Sequence, residues 1–167
     1  MSWPAPFPTA VSGGTDISEE GIRLAKAEAS EWGLDNVEFE QEDTASTTGR
    51  YDLITAFDSI HDQAQPTKAL QAIANALGPR GVFLIGDIGF SSDLEENIGQ
   101  PFAPSIFAIS VFHCLAVSLA YGGEGLGTAW GEQQAREKLA NAGFTEIETR
   151  QVEGDFLNLY YIARKEG

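Results

Sequence analysis

Gly14-Thr15-Asp16-Ile17-Ser18-Glu19-Glu20 closes a short strand and opens a helix, and Asn36-Val37-Glu38-Phe39-Glu40, running on to Asp43, forms the strand after it. Ser18 is a good N-cap, Glu19 and Glu20 stand at the positive end of the helix dipole, and Gly33 offers a left-handed stop. Ile22, Ala25, Ala29 and Trp32 recur at helical spacing and are expected to form the buried face. Val37 and Phe39 alternate with Glu38 and Glu40, the pattern of an edge strand with one solvated face. A strand tip that delivers a carboxylate directly ahead of a helix is how open α/β sheets present an acid to the ribose hydroxyls of a nucleotide.

Outward from this stretch, strands and helices continue to alternate. Tyr51 to Phe57 is apolar and reads as an interior parallel strand, with Asp58 to Gln65 the loop at its C-terminal end. Pro66 fits the first turn of a helix whose Leu70, Ile73, Ala74 and Leu77 share a face. Gly78-Pro79-Arg80-Gly81 predicts a turn into the strand Val82-Phe83-Leu84-Ile85-Gly86-Asp87. A helix is expected over Gly131 to Ala142, closed by Gly143, and then a β-hairpin of Phe144 to Val152 with Phe156 to Arg164. Residues 91–127 break the alternation and read as an insertion or lid. Pro4, Pro6 and Pro8 make 1–8 an extended arm.

The 167 residues fit one domain, able to bury about two-thirds of the surface of the unfolded chain. With 25 acidic and 10 basic residues the net charge is -15, which repels phosphate backbones and anionic lipid; neither nucleic acid nor membrane is an expected partner. The single cysteine, Cys114, rules out an intrachain disulfide, and no leader is seen at Met1-Ser2-Trp3-Pro4, so the expected location is cytoplasmic. Phe102 to Tyr121 carries no formal charge, but Pro104, His113 and three serines favour a buried helix or a lid over a membrane span.

The local wording resembles class I S-adenosylmethionine-dependent methyltransferases. Gly14-Thr15-Asp16-Ile17-Ser18-Glu19-Glu20 with Ala25-Lys26-Ala27 looks like that family's second strand and helix, and Gly33-Leu34-Asp35-Asn36-Val37-Glu38-Phe39 like its entry to the third strand. Tyr51-Asp52-Leu53-Ile54-Thr55-Ala56-Phe57-Asp58 with Ile60-His61-Asp62 resembles its fourth strand and following loop, and Leu77-Gly78-Pro79-Arg80-Gly81-Val82-Phe83-Leu84 its turn into the fifth. The run His113 to Gly131 is similar to a subgroup acting on small molecules, some of whose members carry a dimerisation domain. The resemblance implies an α/β, Rossmann-like methyltransferase sheet with helices on both faces and a C-terminal antiparallel hairpin, in the order 3-2-1-4-5-7-6. It further implies S-adenosylmethionine as cofactor and a small-molecule substrate.

Residue by residue, it implies that Asp16 accepts from both ribose hydroxyls and Ile17 packs on adenine. Asp43, with Thr44 beside it, would accept from the adenine amino group, and Phe57 and Asp58 would line the methionine end. His61 lies on the substrate side. The family's first strand and its Gly-x-Gly-x-Gly loop have no counterpart here, since Ser12-Gly13-Gly14 falls where the second strand is already running. The expectation is a single domain over 9–167 that lacks its first strand, pairs Thr9 to Thr15 directly with Tyr51 to Phe57, and binds cofactor weakly.

His61 suits a general base by its titration range; the plainer reading is a hydrogen bond within its loop to Asp58 or Asp62. His113 and Cys114 have the spacing of no metal site and are expected to pack in the core. Phe102, Phe107, Phe112 and Trp130 are candidates for an apolar pocket, or for core. The alternative to an enzyme is a non-catalytic module of the same fold, working as a homodimer or completed by a partner. A nicotinamide-dependent oxidoreductase lacks its fingerprint glycines.

Overall fold

A computed structural model describes residues 10–166; the expected arm at 1–8 lies outside the described residues. Contacts divide the chain into two compact units, Met1–Ser46 and Thr47–Gly167.

In the first unit β1 (Ser12–Asp16) leads through α1 (Glu19–Glu31) to β2 (Val37–Gln41). The strands pair in parallel, Ser12 opposite Val37 and Asp16 opposite Gln41. Local chemistry sets the helix limits: the Ser18 hydroxyl accepts from the Gly21 amide at 3.0 Å, and Gly33 takes φ +67° beyond the last turn. Ile22 and Ala29 are buried and Ala25 half-buried, but Trp32, expected on the same face, is 66% exposed. It is the C-cap residue of α1.

The second unit is a four-stranded mixed sheet in the order β3-β4-β6-β5. β3 (Tyr51–Phe57) runs parallel to β4 (Leu77–Ile88), with α2 (Pro66–Ala76) as the crossover. β5 (Glu146–Val152) and β6 (Asp155–Arg164) form the expected hairpin, and β6 lies antiparallel against β4. The turn expected at 78–81 is a bulge inside β4: Tyr51 pairs with Leu77 and Leu53 with Val82, so the glycines and Pro79 loop out between ladder positions. Leu70, Ile73 and Ala74 of α2, Phe83 and Ile85 of β4, Tyr161 and Ala163 of β6, and Leu139 of α5 (Gly131–Asn141) close one core.

One expectation is corrected here. Among the described residues β1 pairs with β2 in the first unit, and in the second unit β3 pairs with β4 at the end of the four-stranded sheet. β3 is therefore an edge and not an interior strand, and its apolar residues show it, with Leu53 54% and Phe57 53% exposed.

Residues 91–127 hold a continuous helix, Ala103–Ala120, of which only 22% is buried, so a buried helix is the wrong description. By length and a mean hydropathy of 1.8 it is the one described helix that reaches the size of a bilayer span. It comprises α3 (Ala103–Ile109), a π-helical stretch Ser110–Leu115, and α4 (Ala116–Ala120). Ser110, Cys114 and Ser118 turn inward, while Val111, Phe112 and Leu119 are exposed. Ser118 Oγ donates to the Gln63 carbonyl and accepts from the Gly125 amide, and Ser110 Oγ accepts from the Ala129 amide, so hydroxyls tie this helix down.

Candidate functional site

In the first unit the parallel register puts Asp16 opposite Gln41, the last residue of β2, so Asp43 follows in the loop two residues beyond it, at the same C-terminal end. Asp16 Oδ1 accepts from the Ser18 amide at 2.7 Å, which fixes the carboxylate at the start of α1. Asp43 Oδ1 accepts from the Ala45 amide at 2.9 Å and so caps a short 3-10 turn, Thr44–Ser46. Among the described residues neither Oδ2 has a protein donor. Ile17 is 64% exposed between them in sequence, with its carbonyl held by the Gln41 side chain at 2.9 Å.

The second unit gathers a different set at the C-terminal ends of the parallel pair β3–β4. Asp58, just past β3, has φ +46°, an uncommon left-handed conformation for a side-chain-bearing residue and one that clusters at functional sites. Its amide donates to the Gly86 carbonyl at 2.9 Å. Partial burial, and next the negative charge of Asp87, push its carboxyl pKa up. Phe57 packs edge-on to Tyr160, ring centres 6.5 Å apart.

His61 is buried, 3% exposed, and its partner is neither Asp58 nor Asp62 but Asp87 at the end of β4: Nδ1 lies 2.8 and 2.9 Å from the two carboxylate oxygens. Burial opposes protonation of the ring, but the Asp87 hydrogen bond and the charges of Asp87, Asp62 and Asp58 outweigh it, so the pKa stands above the ordinary histidine value. Asp87 is fully buried and also accepts from the Ile88 amide at 2.8 Å. With Nδ1 committed to Asp87, Nε2 faces Asp62 Oδ1 at 3.4 Å. Cys114 reaches the same place from the π-helical stretch; burial, then the Asp62 carboxylate beside it, push its thiol up to about 11.

Phe57, Asp58 and His61 are thus brought together in the second unit, whereas Asp16, Ile17, Asp43 and Thr44 belong to the first. The four aromatic candidates diverge: Trp130 is in the core, Phe107 packs on Phe90, Phe102 stacks on Phe156, and Phe112 is 83% exposed. Sequence reading missed Asp87. The available signal was an acid ending the most apolar strand of a parallel pair, where open sheets place functional groups.

The model of the methyltransferase domain family matches residues 8–122, more than half of the chain. The chain belongs to the methyltransferase domain family. No curated protein matches it. Among solved structures, a candidate O-methyltransferase of Nostoc punctiforme aligns with this methyltransferase domain at a TM-score of 0.70 and 20% identity, over 93% of this chain and 45% of that one. The structure described as PigF with SAH gives 0.69 at 16% identity, over 95% and 44%. An S-adenosylmethionine-dependent methyltransferase of Methanosarcina mazei gives 0.61 at 17%, over 92% and 82%. The methyltransferase chain spans less than half the length of the first two. These likenesses are of fold, and they carry the α/β methyltransferase architecture expected from the sequence. Taken separately, the observed orders β1-β2 and β3-β4-β6-β5 match the 3-2 and 4-5-7-6 runs of the expected order.

Proposed function

We propose that this methyltransferase domain transfers a methyl group from S-adenosylmethionine to a small molecule. The observation that carries the reading is the pair Asp16, at the end of β1, and Asp43, two residues past the end of the parallel β2, each anchored through one oxygen and open at the other. That pair of acceptors fits a nucleoside: hydroxyl and amino hydrogens need acceptors, and the exposed Ile17 offers an adenine ring an apolar face. Thr44 stands beside Asp43 as a further polar group. When bound, the cofactor supplies an electrophilic methyl on a sulfonium, open to in-line attack by an oxygen, nitrogen or carbon nucleophile.

The chain's own contribution is position and electrostatics. In the second unit Phe57 and Asp58 offer an exposed ring and a conformationally fixed acid, groups that would suit a cationic sulfonium. The acidity of the whole chain favours a cation there. His61 has both nitrogens facing carboxylates, which favours a holding role over abstraction of a substrate proton.

Calorimetric titration with S-adenosylhomocysteine tests the reading. Saturable binding that is lost in Asp16→Ala supports it; no heat at millimolar ligand overturns it for this chain. The exposed apolar edge of β3 favours a second reading, a non-catalytic module completed by a partner. That reading predicts no heat from the chain alone.

A further inference from the structure

We infer that His61, Asp62 and Cys114 form a binding site for one zinc-class divalent cation, with Asp87 as the outer carboxylate that orients the histidine. Imidazole nitrogen, carboxylate oxygen and thiolate sulfur are the donor types zinc accepts, and the three donor atoms lie within 4.8 Å of one another.

The unmet bonding of this cluster points to an occupant. His61 Nδ1 is spent on Asp87, so the other nitrogen is the ring's remaining coordinating atom. His61 has a side chain only 4% exposed, and its Nε2 has no hydrogen bond among the described residues. Asp62 Oδ1 is sealed from solvent and likewise lacks a partner. These two atoms sit 3.4 Å apart, long for a hydrogen bond. A tetrahedral ion with bonds of about 2.0 Å to nitrogen and oxygen separates its ligands by roughly 3.3 Å.

The elements suit the task. His61 and Asp62 come from the loop between β3 and α2, and Cys114 from the π-helical stretch Ser110–Leu115. π-turns inside helices mark functional sites. A histidine whose second nitrogen is fixed by a buried carboxylate is the usual support for such an ion. Asp62 is 40% exposed, which gives the ion a way in and leaves a fourth position for water or a donor atom of a small molecule. On binding, the Cys114 S–H proton passes to solvent and a sulfur–metal bond replaces it; no oxidant or reductant is involved.

The test is titration of the chelator-treated full chain with Co2+, then displacement by Zn2+. Because Cys114 is the single cysteine, a thiolate-to-cobalt charge-transfer band reports this site alone. The expected result is that band at one equivalent, bleached by Zn2+, absent in Cys114→Ser, and reached at about 10–100-fold higher cobalt in Asp87→Asn. The exposed His113, next in sequence, serves as control: His113→Asn retains full affinity. Absence of the band in the folded wild type at millimolar cobalt overturns the inference, as does a loss in His113→Asn equal to that in His61→Asn. The wild-type measurement stands even if a variant fails to fold.

Discussion

The unit of β1, α1 and β2 buries Ile22 and Ala29 and little else, whereas the unit around β4 closes Leu70, Ile73, Phe83, Ile85, Leu139 and Tyr161 into one core. Both follow the same local rules of capping, turn chemistry and parallel register. What separates them is how many strands find neighbours: two in one sheet, four in the other. A two-stranded sheet with one helix has little apolar area to remove from water, so its order rests on caps and side-chain hooks. The larger unit rests on burial.

The sharpest way to break this contrast is Phe83→Ala. Phe83 is fully buried and stacks on Phe144 at 5.8 Å, so truncation is expected to cost about 3–5 kcal/mol in urea unfolding. A loss of the size seen in a surface substitution would mean that the larger unit is not held by its core. Next comes Gly131→Ala. Gly131 has φ +80°, and a Cβ there would stand 2.2 Å from the Ser92 amide nitrogen, so the start of α5 could not keep its seat on the 91–97 loop. Strain and displacement together are expected to cost about 1–3 kcal/mol, read as a lowered thermal midpoint.

Smaller, and confined to the other unit, is Ser18→Ala. Loss of the bond to the Gly21 amide is expected to weaken α1 by about 1 kcal/mol. Hydrogen exchange is the measurement: amides of α1 and β1 should exchange faster while those of β4 and β6 keep their protection. Equal acceleration in both would show one cooperative unit and end the contrast. The smallest effect is at Glu124, which accepts from Lys138 Nζ and Thr67 Oγ1, each at 2.8 Å, and ties the glycine-rich turn to α2 and α5. Burial raises its pKa, but those bonds outweigh it and hold it below the ordinary glutamate value. Its contribution is therefore present above the unfolded pKa and lost as pH falls through the folded one. Glu124→Gln should lower stability slightly at neutral pH and leave it nearly unchanged at the acid end, so that this part of the pH dependence flattens, as followed by thermal melts across pH.

The sequence was most informative where the cause is local. Ser18 and Gly33 mark the ends of α1, Pro66 marks the start of α2, and the apolar run 82–87 could be nothing but a covered strand. Tyr51 to Phe57 misled because apolar character reports what a strand is suited to touch and not what stands beside it; the same residues fit an interior position and here line an edge. The 78–81 segment has turn composition, and only the ladder with β3 converts the turn into a bulge. Asp87 and His61 are 26 residues apart, and nothing in the intervening sequence announces that a crossover will bring them to 2.8 Å. The helix 103–120 misled for the opposite reason, since its uncharged surface suggested burial while its small polar side chains make the inward contacts.

That inward row has a consequence for motion. Greasy contacts tolerate sliding, because one methyl group replaces another at little cost. Ser110 and Ser118 are instead aimed at particular groups: the Ala129 amide, the Gln63 carbonyl and the Gly125 amide. Shifting the helix by a single residue breaks all three bonds at once and offers no substitutes. The segment is keyed rather than lubricated, and has one seated position against its own unit.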